Sequence, residues 1–493
     1  MGAITVTIEV YAFDTSVRGA YLDATRGFFN GPCVFLRVLS QEWRPCEVDI
    51  EPPPSARYRD WRVGTSLARG GAKPYGFGRY LAADYDELID SPVELGPFTL
   101  ATFRAHGVPH DIIIAGRHDA DMRRLARDLK VICEHQIDVF GRPAPMQRYA
   151  FLVNAQGEGY GGLEHRASTA LVGSRDDFPR AGAAETTEAY RTFLGLVSHE
   201  YFHTWNVKRI KPDVFVPYDL DRENYTRMLW AFEGFTSYYD DLALVRTGLI
   251  SNSEYLTIIA RGITALARNP GAAVQSVADS SFDAWIKYYR QDENTPNAVV
   301  SYYGKGSLIA LALDLTIRSR TKGRRSLDNV MRLAWRRYGK RGVGMPEDGI
   351  ERLATEVAGT SLAAFFRRAV YGTDSLPLAQ ALATVGLTLF MRPASSADDR
   401  GGFVTTPATP TVVARLRRAD FGWRVAGGAD AKLANVYTGG AAEEAGLAAG
   451  DVIVAIDGLR ASAKTLAAAA GVRRAGDQLA LHVFRRDELF TAT

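Results

Sequence analysis

Two histidines four residues apart, His199 and His203, with Glu200 beside the first, constrain this chain more than any other feature. Residues i and i+4 of a helix lie on one face. Both imidazoles then reach a single cation, and Glu200 stands beside the open coordination position. Leu194, Val197 and Tyr201 recur at helical spacing around the pair, and Pro212 is expected to close the helix. Only eight histidines occur in 493 residues, so composition alone does not produce such a pair.

A catalytic metal of this kind needs a third protein ligand and a position left for water. Glu233 is the single charged residue between Arg227 and Asp240. An acid alone on an apolar helix face is costly unless it is paired or metal-bound. Glu233 is therefore the natural partner of His199 and His203 around one zinc ion per chain, with Glu200 as general base. Ser237 and Asp240, one and two turns further on, are candidates for orienting a ligating imidazole.

Two glycine-flanked clusters fit the same chemistry. The first is Gly161-Gly162-Leu163-Glu164-His165, after an apolar strand at residues 149–153. Gly162 lets the backbone approach a substrate closely, and Glu164 is suited to an ammonium group. On its residues alone the cluster also reads as a turn with an exposed glutamate. The second is Ser301-Tyr302-Tyr303-Gly304-Lys305-Gly306, where a tyrosine hydroxyl is placed to donate to a developing oxyanion. Paired tyrosines also serve simply as packing residues.

The composition excludes several other classes. Hydrophobic residues make up 46% and charged residues 23%, the balance of a soluble globular protein. A net charge of +3, spread along the chain, offers no nucleic-acid surface. Cys33, Cys46 and Cys133 supply neither a disulfide framework nor a thiolate zinc site. No apolar run reaches the length of a membrane span. The first ten residues lack a basic segment followed by an apolar core, so they do not read as a signal peptide.

The expected architecture is α+β and multidomain. Ile4, Val6, Ile8 and Val10 alternate with polar residues, which predicts a half-buried strand. Residues 33–39 form a second expected strand, residues 52–54 a proline loop, and the acidic stretch 84–90 a solvated loop. A short strand at 112–115 precedes a helix over 119–139, and residues 187–386 are mostly helical. The polar stretch 393–410 reads as a linker across which few contacts tie the domains. Beyond it, short strands near 433–437, 452–456 and 479–484 mark a separate small domain. The expected bounds are 1–108 for a β-domain, 109–250 for a catalytic domain and 251–392 for a helical domain. A linker or hairpin at 393–418 and a terminal domain at 419–493 follow.

Four motifs carry a family resemblance over nearly the whole chain. They are H-E-Y-F-H-T-W-N-V-K-R-I-K-P, L-W-A-F-E-G-F-T-S-Y-Y, G-G-L-E-H and S-Y-Y-G-K-G. Together they resemble the glycyl aminopeptidases, gluzincin metallopeptidases of bacteria and archaea that carry an attached PDZ domain. The resemblance implies an N-terminal β-domain, a thermolysin-like catalytic domain, a helical domain and a PDZ domain. It implies His199, His203 and Glu233 as zinc ligands and Glu200 as the base. Tyr303, placed as Y-x-K-G, would stabilise the transition state, and Glu164 would hold the substrate's α-amine. Preference for N-terminal glycine or alanine is implied by the resemblance alone. The chain begins almost at the strand matching Val10-Tyr11-Ala12-Phe13, so its N-terminal β-domain is expected to be incomplete. The PDZ reading rests on Val436-Tyr437-Thr438-Gly439-Gly440-Ala441-Ala442, then Ala445-Gly446-Leu447-Ala448-Ala449-Gly450-Asp451-Val452-Ile453 and Ile456-Asp457-Gly458.

The expected activity is release of N-terminal residues from peptides with a free amine, in the cytoplasm ahead of the periplasm. The PDZ domain is expected either to bind an extended peptide or only to pack against the catalytic part. Two alternatives stay open: a non-catalytic PDZ peptide-binding protein, and a zinc endopeptidase on the same scaffold.

Overall fold

The computed structural model describes residues 4–183, 185–396, 398–406, 419–428, 430–474 and 476–493. They fall into two units: Met1–Lys211 with Tyr239–Ser251 and Met331–Met345, and Pro212–Tyr238 with Asn252–Val330 and Pro346–Thr493.

The first unit is organised by a mixed five-stranded sheet. Its strands are β1 (Thr99–Ala105), β2 (Val108–Ala115), β3 (Tyr149–Gln156), β4 (Tyr160–Glu164) and β5 (Ser168–Ser174). The spatial order is β4-β5-β3-β2-β1. β3 lies parallel to β2 and β5, while β1 and β4 run antiparallel on the two edges. Ile112, Ile113 and Ile114 are all fully buried, as expected of a strand covered on both faces. Helix α1 (Met122–Phe140) makes the crossover from β2 to β3. Asp121 caps it by accepting from the amides of Arg123 and Arg124, both at 3.1 Å. Leu125, Leu129, Ile132 and Ile137 form its buried stripe. The strand expected at 112–115 and the helix expected over 119–139 are thus present, with slightly different bounds.

Helix α2 (Glu188–Phe202) packs on this sheet and on α1. Thr187 caps it by accepting from the amide of Tyr190. The helix ends at Phe202, well before Pro212. Its last turn is diverted by Trp205 and Ile210, both fully buried, whose main chains close a local turn at 2.7 Å.

Three expectations for the first hundred residues need correction. Residues 4–10 belong to no strand, and Ile4, Val6, Ile8 and Val10 are exposed. Among the described residues their alternation has no adjacent strand to pair with, and a strand gains its stability from pairing. Residues 33–39 form no strand either, because Pro32 starts a 3₁₀ turn at Gly31–Cys33. The acidic stretch is a helical turn, Tyr85–Ile89, capped by Asp84, and the Asp90 side chain at its end is only 10% exposed. The proline loop at 52–54 is present.

His110, on β2, is fully buried between strand and helix. Its Nδ1 donates to the Val108 carbonyl at 2.9 Å, leaving Nε2 to accept from the Tyr201 hydroxyl at 2.9 Å. Burial lowers its pKa to about 4. The folded value lies below the unfolded one, so the unfolded chain binds the proton more tightly. Stability is then lost as pH falls through about 6.5 and levels off near the folded value. Urea titration of the metal-free protein should show about 2 kcal/mol less stability at pH 5 than at pH 7 from this group. Equal midpoints at the two pH values would contradict the buried neutral imidazole.

The second unit is mostly helical, followed by two small sheets. Helices α3 (Leu229–Phe232) and α4 (Gly234–Arg246) follow one another, with Glu233 at the joint; α4 continues past Tyr238 into the stretch Tyr239–Ser251. Helix α5 (Gly304–Arg320) is buried nearly all round, so it serves as a core helix. Asp314 within it is satisfied by the Tyr238 hydroxyl, the Leu327 amide and Arg318. No helix among the described residues is long and apolar enough to cross a membrane.

Of the polar stretch, residues 393–396 and 398–406 hold neither helix nor strand, and residues 407–418 lie outside the described residues. Beyond it, β6 (Trp423–Val425) pairs with β7 (Leu433–Val436). β8 (Val452–Ile456) is flanked by Leu459–Arg460 and Leu481–Arg485, with Glu488–Ala492 at the outer edge. Asp457 and Gly458 both take positive φ, which makes the tight hairpin turn between β8 and its neighbour. Three hydrogen bonds tie β7 and its exit to the helical part. Asn297 donates to the Val436 carbonyl at 2.8 Å and accepts from the Thr438 amide at 3.0 Å, while Asn435 donates to the Glu293 carbonyl at 2.9 Å.

Candidate metal centre and substrate site

His199 and His203 sit at the end of α2, one turn apart, with ring centroids separated by 4.7 Å. Each imidazole has its Nδ1 engaged. The Nδ1 of His199 is 3.0 Å from the Asp240 carboxylate, and that of His203 donates to the Asn206 carbonyl at 2.6 Å. A carbonyl only accepts, so the His203 proton is on Nδ1; the Asp240 carboxylate favours the same tautomer for His199. With the proton on Nδ1, each ring presents an unprotonated Nε2, the form that ligates a metal. Asp240 thus stands where a residue orienting the His199 imidazole would stand. Burial pushes the Asp240 carboxyl up, and the His199 imidazole pulls it back. Ser198 anchors the helix by donating to the Asp240 carbonyl while receiving Gln136.

Two groups among the described residues are able to hold a metal ion: His199, His203 and Glu233, and Glu164, Glu200 and His203. The first is the two-nitrogen, one-oxygen set that suits a catalytic zinc with an open position. The second brings two carboxylates beside the same histidine, with ligand atoms within 4.8 Å of one another. A base and an ammonium acceptor next to a ligand histidine would give that pattern.

Glu164 ends edge strand β4, where Glu164 pairs with Thr169 and Gly162 with Leu171. The cluster is therefore a strand, and Glu164 is half-buried. Gly162 passes directly over Glu200: a Cβ there would lie 2.1 Å from Glu200 Oε1. No side chain fits between the strand and the buried carboxylate, so glycine is what lets β4 cover it. An open pocket of about 690 Å³ lies at the Tyr160 end of β4, lined by Glu158, Asp177 and Glu188.

Past Glu164, His165 is buried and its Nδ1 lies 3.2 Å from Asp90. Asp90 also receives the Arg166 amide at 2.9 Å, the Arg166 side chain at 3.0 Å and Lys208 at 2.7 Å. Burial alone would raise its pKa, but Lys208, His165 and Arg166 together hold it well below the usual carboxylate range. One carboxylate thus links the turn after His203 to the strand end that carries Glu164. Sequence patterning treats Asp90 as a solvated acid, because its partners come from segments about 75 and 120 residues away.

Tyr303 caps the start of α5. Burial, and then the charge of Glu233, holds its hydroxyl pKa well above normal, so it stays protonated and able to donate. Gly234 and Gly306 bring the two helix starts into main-chain contact. A Cβ on Gly234 would lie 2.5 Å from the Gly306 Cα, and one on Gly306 would lie 2.7 Å from the Trp230 carbonyl oxygen.

Comparison with known proteins matches three parts of the chain. Residues 192–309 match the M61 glycyl aminopeptidase model, residues 2–97 the M61 peptidase N-terminal domain, and residues 433–483 a PDZ domain. No curated protein matches. Among solved structures, an aminopeptidase N family protein from Idiomarina loihiensis is 40% identical with a TM-score of 0.91. The match covers 98% of this chain and 81% of that one. An M1 zinc metallopeptidase from Deinococcus radiodurans is 16% identical over 75% of each chain, with a TM-score of 0.47, too low to carry an argument.

Proposed function

The chain belongs to the M61 glycyl aminopeptidase family, with that family's N-terminal domain and a PDZ domain, and from that premise we propose a zinc-dependent aminopeptidase acting on peptides that begin with glycine or alanine. One zinc ion per chain is held by His199, His203 and Glu233. When bound, it supplies Lewis acidity to the scissile carbonyl and to water. Glu200 takes the proton of the attacking water and delivers it to the departing amine nitrogen. Tyr303 donates a hydrogen bond to the developing oxyanion. Glu164 accepts the substrate's α-ammonium, and Gly162 leaves room for Glu200 beneath the strand. The PDZ domain takes an extended peptide by strand addition.

The observation that carries the exopeptidase reading is the convergence of Glu164, Glu200 and His203 within 4.8 Å. A carboxylate this close to the base leaves space for a single residue between the free amine and the scissile bond. N-acetylation of a substrate should therefore abolish cleavage. Glu164→Ala should reduce kcat/KM on free-amine substrates by about 10- to 100-fold, the size of a lost charge-assisted hydrogen bond. Equal rates on blocked and free peptides would favour an endopeptidase instead.

A further inference from the structure

The hydroxyls of Tyr289 and Tyr303 are 3.1 Å apart. Tyr289 ends the π-helical turn Ala284–Tyr288, whose defining bond runs from the Tyr289 amide to the Ala284 carbonyl at 3.0 Å. A π-turn inserts one residue into the helical repeat and is uncommon unless something is gained by re-aiming a side chain. Here the side chain re-aimed is a phenol that ends on Tyr303. The ring of Tyr303 is held separately: it stacks on Tyr302 at 4.7 Å and on Tyr288 at 5.7 Å. Tyr288 is itself pinned by a 3.1 Å bond to Ser301. The ring stack fixes where the Tyr303 oxygen lies, and the direction of its O–H is set by the groups that oxygen bonds to.

A phenol that donates to an oxyanion keeps its oxygen lone pairs as acceptors. Tyr289 is a donor at the right distance. A hydroxyl that accepts one bond becomes a stronger donor of the next, because the two bonds polarise each other. Tyr289 is 52% exposed, and its ring packs edge-on against Tyr288 while its hydroxyl reaches Tyr303.

We propose that Tyr289 is a positioning residue for the peptidase reaction, its hydroxyl donating to Tyr303 so that the Tyr303 proton is aimed at the developing oxyanion. The inference rests on the role given to Tyr303 above. It is tested by a double-mutant cycle on a free-amine aminoacyl chromogenic substrate, comparing wild type, Tyr289→Phe, Tyr303→Phe and the double variant, with melting temperatures alongside. Tyr303→Phe should lower kcat by about 100-fold or more. Tyr289→Phe should lower kcat by about 10-fold with KM within about twofold and the melting temperature unchanged. The double variant should be no slower than Tyr303→Phe, because Tyr289 acts only through that hydroxyl. Two results overturn the inference while leaving Tyr303 in place: unchanged kcat in Tyr289→Phe, or a double variant that loses the product of the two single effects. Near wild-type turnover by Tyr303→Phe removes the premise itself, and the inference with it.

Discussion

Glu200→Gln is expected to retain one metal ion per chain and to lose about three or more decades of kcat. The amide is isosteric with the carboxylate but cannot accept the water proton at neutral pH. Glu200 is 5% exposed, so no bulk-solvent base replaces it easily. Elemental analysis beside steady-state kinetics separates the possible causes. Lost metal with lost activity would point to a disturbed site, and retained metal with near wild-type turnover would remove Glu200 from the mechanism. Chelation of the native protein should abolish turnover, and added Zn²⁺ should restore it.

The second large effect is expected from a single methyl group. Gly162→Ala places a Cβ 2.1 Å from Glu200 Oε1, 2.4 Å from Cδ and 2.7 Å from Cγ. These are the far atoms of a side chain with three rotatable bonds, so the carboxylate swings aside while strand β4 stays. The off-rotamer cost is about 1 kcal/mol, a shift of a few degrees in melting temperature at most. The catalytic cost is larger, because displacing a base by about 1 Å costs about 100-fold in rate. Gly161→Ala, whose Cβ would meet nothing within 4 Å, should be much milder. Wild-type kcat in folded Gly162→Ala would show that Glu200 does not act from beneath this strand.

How much could be read from the chain depended on how local each feature was. The shared face of His199 and His203 follows from helical periodicity. Glu233 is conspicuous as one charge in an apolar run, and Gly162 as part of a glycine pair. The α+β multidomain class and the terminal PDZ domain were legible because turn and strand signals are short-range. The remaining features required the fold. Asp90 gains its ion partners from residues 165, 166 and 208, which no spacing rule connects. Asn206 supports His203 through its carbonyl, and every residue has a carbonyl. Tyr289 meets Tyr303 because of a π-turn, for which periodicity has no signature. The misread strand at residues 4–10 has the opposite cause. Alternation reports what a segment is able to pair with, and pairing needs a neighbour.

The contact between Gly234 and Gly306 has a consequence for how such an enzyme is re-engineered. The spacing between the segment ending in Glu233 and the segment starting at Tyr303 is set by main chain against main chain, with no side chain in between. Directed-evolution libraries that diversify residues around the substrate leave that fixture untouched, so selectivity can be varied without recalibrating it. The two glycines are the positions such a library should hold constant.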